Sequence, residues 1–225
     1  MSFPNRRLAD MKTVNTDGTT TYVNSTNSII YFKSMVSEVE VEFKGFITEM
    51  SDKFQSNWDS ETVYGRMDPI GTFKNTQRTI SLGWTIPAAD LEEAKSNAVA
   101  VKSLTSMLYP GYAANPTNVK GIDTFTTSNS LSKPPLIRLK YANLIDSVGD
   151  EKGLLGWVDG FDITPTIDMG FFINGKDHYA KVYTMSCTFN VLHEHDLGFN
   201  SSKEWIANGN DGLKKFPFTG GSTDE

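Results

Sequence analysis

Between Glu38 and Lys44 apolar and charged residues alternate one by one, with Val39, Val41 and Phe43 on one side and Glu38, Glu40, Glu42 and Lys44 on the other. A period of two predicts a strand with one buried and one wet face. The preceding IIYFKSM, which follows Ser28, reads as a strand as well. The pattern returns in RTISLGWTIP, where Ile80, Leu82, Trp84 and Ile86 share a face and Pro87 stops further pairing. Residues 134–145, 153–167 and 179–194 predict three more strands. In the last of these, Tyr183, Met185, Cys187, Phe189 and Val191 alternate with Thr184, Ser186, Thr188 and Asn190.

One segment changes period. Leu91, Ala94, Ala98, Val101, Leu104 and Leu108 recur at steps of three and four, which predicts a helix over 90–109. Asp90 with Glu93 three residues on forms a capping box, and Pro110 with Gly111 ends the pattern. The stretch 51–77 shows neither period and carries Trp58, Tyr64 and Phe73, so it reads as a connection longer than compact domains usually contain. Residues 111–133 read as a second polar loop. The chain thus divides into an N-terminal arm (1–28), a β-rich domain with one flanking helix (29–199) and a C-terminal tail (200–225), in which Trp205, Phe216 and Phe218 are isolated anchors.

Composition narrows the function. A formal net charge of -6 is unsuited to gripping nucleic acid through phosphate neutralisation, although it suits a wall past which DNA slides. Cys187, the single cysteine, excludes an intrachain disulfide and a thiolate cluster within one subunit, and its apolar strand face predicts a buried, inert thiol. No run of apolar residues suggests a signal peptide or a membrane span, and the expectation is assembly in a cytoplasm. On that reading the glycosylation-type triplets at Asn24 and Asn200 have no consequence.

Candidate chemistry is sparse. His193 and His195 have the spacing of two imidazole ligands on one side of a strand, yet only His178 exists besides them, so a polar strand end is the better reading and no metal is assigned. In YGRMDPIG, Asp68 before Pro69 favours a turn, and Arg66 and Arg78 supply forked donors able to fix a loop on a neighbouring subunit. A hydrolase built on Asp59, Glu61 and Asp68 has no evident partner for its carboxylates. No phosphate-cradling glycine motif is present. No catalytic residue and no cofactor is assigned. A monomeric ligand-binding module using Trp58, Trp157 and Trp205 is a rival reading.

The order of segments carries more. An aromatic-Gly-Arg-x-Asp-Pro loop (Tyr64 to Pro69), Arg78 opening the next strand, a helix ending in Leu108-Tyr109-Pro110 and a closing strand ending in Val191-Leu192-His193-Glu194 follow one another over 28–199. In this the chain resembles the tail-tube-like baseplate proteins of contractile-tailed bacteriophages. The resemblance implies an antiparallel β-sandwich or barrel flanked by one helix, assembled as a hexameric ring whose inner strands join into a continuous barrel around a channel. It implies a structural protein, not an enzyme, located in the virion. Its partners would be five further copies, adjacent tube and hub rings and sheath or wedge proteins, with genomic DNA passing unbound. The loop residues Trp58, Tyr64, Arg66, Asp68 and Phe73, with Arg78, would reach a neighbouring subunit, and Glu38, Glu40 and Glu42 are candidates for the channel lining. The arm and tail favour a tube initiator over the repeated tube subunit, which is the alternative.

Overall fold

A computed structural model of the chain describes residues 28–113, 130–147, 152–203, 205–206 and 216–217. The expected N-terminal arm, apart from Ser28, most of the polar loop 111–133 and most of the C-terminal tail, Phe218 included, lie outside the described residues.

Among the described residues the chain is mostly strand with one α-helix. Its elements are β1 (Ile29–Ser34), β2 (Glu40–Lys44), β3 (Phe46–Glu61), β4 (Ile70–Pro87), α1 (Leu91–Met107), β5 (Gly111–Ala113), β6 (Ser130–Lys133), β7 (Ile137–Tyr141) and β8 (Leu154–Pro165), followed by a 3-10 turn (Ile167–Met169), β9 (Phe171–Asn174), β10 (Asp177–Ala180), β11 (Val182–Val191), β12 (Gly198–Phe199) and β13 (Trp205–Ile206). Seven strands make one sheet in the order β2-β1-β7-β8-β11-β4-β3, with every neighbouring pair antiparallel.

The two outer strands of this sheet, β2 and β3, are separated by Gly45 alone. They are halves of one bent strand: Lys44 pairs with Ile29 of β1, and Phe46 pairs with Thr85 of β4. A Cβ on Gly45 would lie 3.0 Å from Trp84 Cδ1 and 3.3 Å from Ile30 Cδ1, so the bend presses bare backbone onto the core. The sheet curls around one core without closing into a hydrogen-bonded barrel, since β2 and β3 do not pair with one another. The antiparallel β fold with a flanking helix is as expected, but no closed barrel forms among the described residues: a bent strand covers the core from both sides, which a strand pattern alone does not disclose.

The alternating apolar residues fill that core. Ile30, Phe32, Val41, Phe43, Ile80, Leu82, Trp84, Ile137, Leu139, Met185 and Phe189 are all buried in one cluster. Trp84 sits at its centre, with ring centroids of Phe32, Phe43 and Phe161 at 5.7, 6.2 and 6.2 Å. Helix α1 adds Ala100, Val101, Leu104 and Met107 to the cluster. Asp90 caps it as expected, accepting a hydrogen bond from the Glu93 amide at 2.7 Å, while the Glu93 carboxylate accepts from the Ala89 amide at 2.7 Å. Glu93 also pairs with the largely buried Lys44, which ties the helix start to the end of β2.

The stretch 51–77 is not a loop. Strands β3 and β4 pair from Phe46 to Glu61, leaving only residues 62–69 as a turn, in which Gly65 takes φ +87° and the Arg66 amide donates to the Val63 carbonyl. The period was hidden because one face of these strands carries Gln and Asn, the other mixes Ser56 and Thr76 with Phe54, Trp58 and Phe73, and a bulge between Asn57 and Trp58 shifts the register. A second hairpin, β9–β10, follows the 3-10 turn between β8 and β11 and packs beside α1. Strands β5 and β6 pair across the expected loop 111–133, and β12 pairs with β13.

Candidate functional site

Beyond Thr79, β4 pairs among the described residues with β3 alone, because pairing with β11 ends at Thr79 opposite Asn190. Residues 54–61 and 70–78 therefore project as a two-stranded ribbon, roughly 30 Å long at 3.3 Å per residue. An isolated two-stranded hairpin is marginal in water. This one is held at its root. Arg78, 2% exposed, donates through Nε to both oxygens of Asp52 and through Nη2 to Oδ2 at 2.7 Å. Its guanidinium lies over the rings of Phe54 and Phe216, 5.2 and 5.6 Å from their centroids, which themselves meet edge to face at 5.9 Å, and Nη2 also reaches the Pro217 carbonyl. Trp205 packs on Phe216, and Phe199 on Trp205, at 5.5 and 5.2 Å. The tail residues Trp205 and Phe216 are thus not isolated anchors but part of one aromatic row that ends under the ribbon.

The ribbon has two unlike faces. One continues the core row: Phe54 opposite Arg78, Ser56 opposite Thr76, and Trp58 opposite Phe73 with ring centroids 5.2 Å apart. The other is polar except for Ile70 opposite Glu61. Asn57 donates to Asn75 at 2.8 Å, Gln55 to Asn57 at 3.2 Å, and Lys74 pairs with Asp59 at 2.6 Å. This polar face runs on into the sheet. Ser81 stands between Ser51 and Thr188, Thr85 pairs with Thr184, and Thr184 with Thr164. Asn190 accepts from the Thr79 hydroxyl at 3.0 Å. The four strands β3, β4, β11 and β8 therefore present a carpet of short hydroxyl and amide side chains, interrupted by the exposed Phe46 opposite Thr85 and Trp157 opposite Asn190. Glu49, Asp59, Glu61 and Asp162 outnumber Lys53 and Lys74 on it. Such a surface offers many hydrogen-bonding groups and few cations.

The six expected loop residues separate into three places. Trp58 and Phe73 pair midway along the ribbon, Tyr64, Arg66 and Asp68 lie on its tip, and Arg78 is buried at its root instead of reaching outward. The sequence signal for the root was Arg78 at the start of an apolar row; its partner Asp52 lay in a segment without a visible period.

The acidic row also separates. Glu38 belongs to the turn before β2, with φ 57°, and only Glu40 and Glu42 stand on the strand. Both face lysines, Lys33 to Glu40 and Lys152 to Glu42 at 3.6 Å each. Beside them Lys140 pairs with Asp146, and the Lys152 ammonium lies 3.7 Å over the Tyr31 ring. The outer face of β2, β1 and β7 is therefore of mixed sign, whereas the polar carpet lies on the other half of the sheet.

After Val191 the chain leaves the strand, so His193 and His195 do not share a strand face. Glu194 instead receives a forked pair from the buried Arg138 at 2.6 and 2.8 Å. His193 rims a shallow hollow with Arg78, Asp146, Phe216 and Pro217. Partial burial there, and then the charge of Arg78, lower its pKa below the ordinary histidine value. Among the described residues, no three His, Cys, Asp or Glu side chains are grouped as metal ligands. Burial pushes the Cys187 thiol up to about 12. Among the described residues, no helix is long and apolar enough to cross a membrane.

No family model and no curated protein matches the chain. Among solved structures it is similar to the crystal structure of the SPP1 Dit (gp 19.1) protein, titled a paradigm of the hub adsorption apparatus in phages infecting Gram-positive bacteria. The TM-score is 0.36 and the identity 7%, over 75% of this chain and 52% of that one. The chain spans about half the length of that protein.

Proposed function

We propose that this protein is a structural, non-catalytic component of a bacteriophage tail, forming a hexameric ring of the tube at the baseplate. The reading joins the sequence resemblance to one structural observation: a four-stranded face, mainly polar, extended by a ribbon whose outer strand, β3, has no further strand beside it among the described residues along its 16 residues. An edge that long is normally blunted or covered. Bulges at Ile47/Glu49 and Asn57/Trp58 and the charge of Lys53 blunt it only locally. Neighbouring copies laid edge to edge would turn six curled sheets into one inner wall, with the carpet of Ser81, Thr188 and Asn190 towards the channel. Glu38, Glu40 and Glu42 would then lie away from the lumen, on the half of the sheet that carries Lys33 and Lys152.

In this reading DNA passes without being held, because the lining is polar and slightly acidic. The ribbon root is built for a stationary part, with a buried guanidinium held by a carboxylate, two rings and a carbonyl. Initiation of the tube, in place of repetition along it, is the finer assignment. Assembly would take place in the host cytoplasm, with sheath or wedge proteins meeting the outer surface.

Cryo-electron density of intact tails tests the proposal. The expected result is six copies around a central pore at one height near the baseplate, with β3 at the subunit boundary. Copies repeated along the whole tail would select the tube subunit instead, and an isolated globule with no axial pore would remove the proposal.

A further inference from the structure

Four rings outside the buried core form a second cluster. Phe54 of the ribbon meets Phe216 edge to face at 5.9 Å, Phe216 packs on Trp205 at 5.5 Å, and Trp205 meets Phe199 at 5.2 Å. None of the four belongs to the cluster around Trp84. Phe216 and Pro217 also border the shallow hollow that Leu155, Leu192 and His193 line, so their seat beside the sheet is incompletely packed.

The ribbon has little else to lean on. Within residues 54–61 and 70–78 the two strands pair with each other, and side chains such as Asn57 with Asn75 and Lys74 with Asp59 bridge them without reaching another element. Exposed pairs of this kind add little to stability. Asp52 and Arg78 join β3 to β4 and set the spacing of the two strands. Among the described residues, the hydrogen bonds, ion pairs and ring contacts that tie the ribbon to anything but β3 and β4 all go to Phe216 and Pro217. The bond from Arg78 to the Pro217 carbonyl spans 139 residues, so the end of the chain closes onto the ribbon root.

We propose that Phe216 and Pro217, backed by Trp205, form a strap that holds the ribbon root in place, so that the order of the ribbon is coupled to the docking of the C-terminal tail. The strap is a property of the single chain and goes beyond the ring reading. Its construction suits a contact that lifts without disturbing the core. Trp205, Phe216 and Pro217 are only half-buried, and the Arg78 Nη2 to Pro217 bond is long at 3.4 Å, so ring contacts and the guanidinium over Phe216 carry most of the hold. A partner that draws the tail away loosens the ribbon, and one that presses the tail down stiffens it. The coupling is reciprocal: whatever holds the ribbon also holds the tail.

Hydrogen exchange of the full chain tests the strap. Phe216→Ala removes the ring contacts to Phe54 and Trp205 and the face beneath Arg78. The expected result is exchange roughly tenfold or more faster in peptides covering 54–61 and 70–78, the change that follows when an aromatic pair and a cation–π contact no longer oppose a local opening. Peptides of β1, β7 and β11 should keep parental rates and the circular dichroism should stay native. Parental exchange in the ribbon, or equal acceleration in every strand, overturns the strap. Phe54→Ala gives the reciprocal measurement at a position already 45% exposed, and decides the question if Phe216→Ala does not fold. In that variant the Trp205 indole N–H, buried in the parent, should exchange with solvent faster by a similar factor, read by NMR. An indole proton as protected as in the parent would overturn the coupling.

Discussion

Arg78 and Asp52 meet in a forked pair at the root of the ribbon, with Nη2 to Oδ2 at 2.7 Å and Nε to Oδ1 at 3.0 Å. Both are largely out of water, at 2 and 11% side-chain exposure. Removing one partner leaves the other charge buried without its counter-ion, so Arg78→Ala or Asp52→Ala should each cost about 3–5 kcal/mol in denaturant unfolding. Arg78→Lys should recover little, because an ammonium cannot reproduce the planar fork or its packing against Phe54 and Phe216. The double replacement Arg78→Met with Asp52→Leu should cost less than either single truncation. Single variants as stable as the parent would show that the ribbon is anchored elsewhere.

A second prediction concerns Gly156 on β8. A Cβ there would stand 2.1 Å from the Asn190 carbonyl oxygen and 2.7 Å from Phe189 Cζ. The contact on one side is backbone, so no rotamer change relieves it, and β8 must separate from β11. Gly156→Ala should lower stability by at least the roughly 1–3 kcal/mol typical of overpacking, read as a fall in thermal midpoint. By contrast Gly198, which faces open space, should accept alanine with little change.

How far the sequence disclosed all this depends on what faced the core. Strand positions such as Val41, Leu82, Trp84 and Phe189 alternate cleanly because the inner face is apolar and the outer face is wet, and every one is buried. The helix was equally legible, since Asp90, Glu93 and Pro110 mark its ends. The ribbon was not. Its strands are stabilised by backbone pairing and by polar contacts such as Asn57 to Asn75, which leave no hydrophobic period, and its bulge inverts the one aromatic alternation it has. Hairpin β9–β10 was missed because Phe171, Phe172 and Ile173 are consecutive apolar residues, a run without alternation. Of the candidate site, the residue types were visible in the tip motif, but the pairing of Arg78 with Asp52 spans 26 residues and needed the fold.

The state of Cys187 gives a third test. Its thiol lies on the inner face of β11, and burial raises its pKa to about 12. Only the thiolate attacks a disulfide reagent, so at pH 8 the folded chain should remain unlabelled while the denatured chain reacts at once. Labelling rate against denaturant concentration should then follow global unfolding. Fast labelling of the native chain would mean that β11 opens locally.

A fourth prediction follows from His193. Its folded pKa lies below the unfolded value of about 6.5, so between the two the unfolded chain binds more protons. Stability therefore rises with pH through that window, and the contribution of neutral His193 is lost as the pH falls through the ordinary value towards the folded one. The parent should lose thermal midpoint on going from pH 7.5 to pH 5.5, and His193→Gln should lose less over that interval. Arg78→Met should shrink the difference, because the arginine charge is one of its two causes. Identical pH profiles for parent and His193→Gln would assign the acid sensitivity to other groups.

The last prediction separates folding from assembly. Trp58 and Phe73 face each other across the ribbon, both at least half exposed, and outside the buried cluster that holds the sheet. Their mutual contact is worth about 0.5–1.5 kcal/mol, and replacing both by serine removes that amount and little else from the isolated chain. The same change strips the ribbon of its largest apolar side chains, so any association that buries them loses most of its driving force. The double variant should therefore keep a near-parental unfolding curve while its concentration-dependent increase in sedimentation coefficient disappears. A large fall in stability would place the pair in the fold, and undiminished association would place the assembly surface elsewhere on the chain.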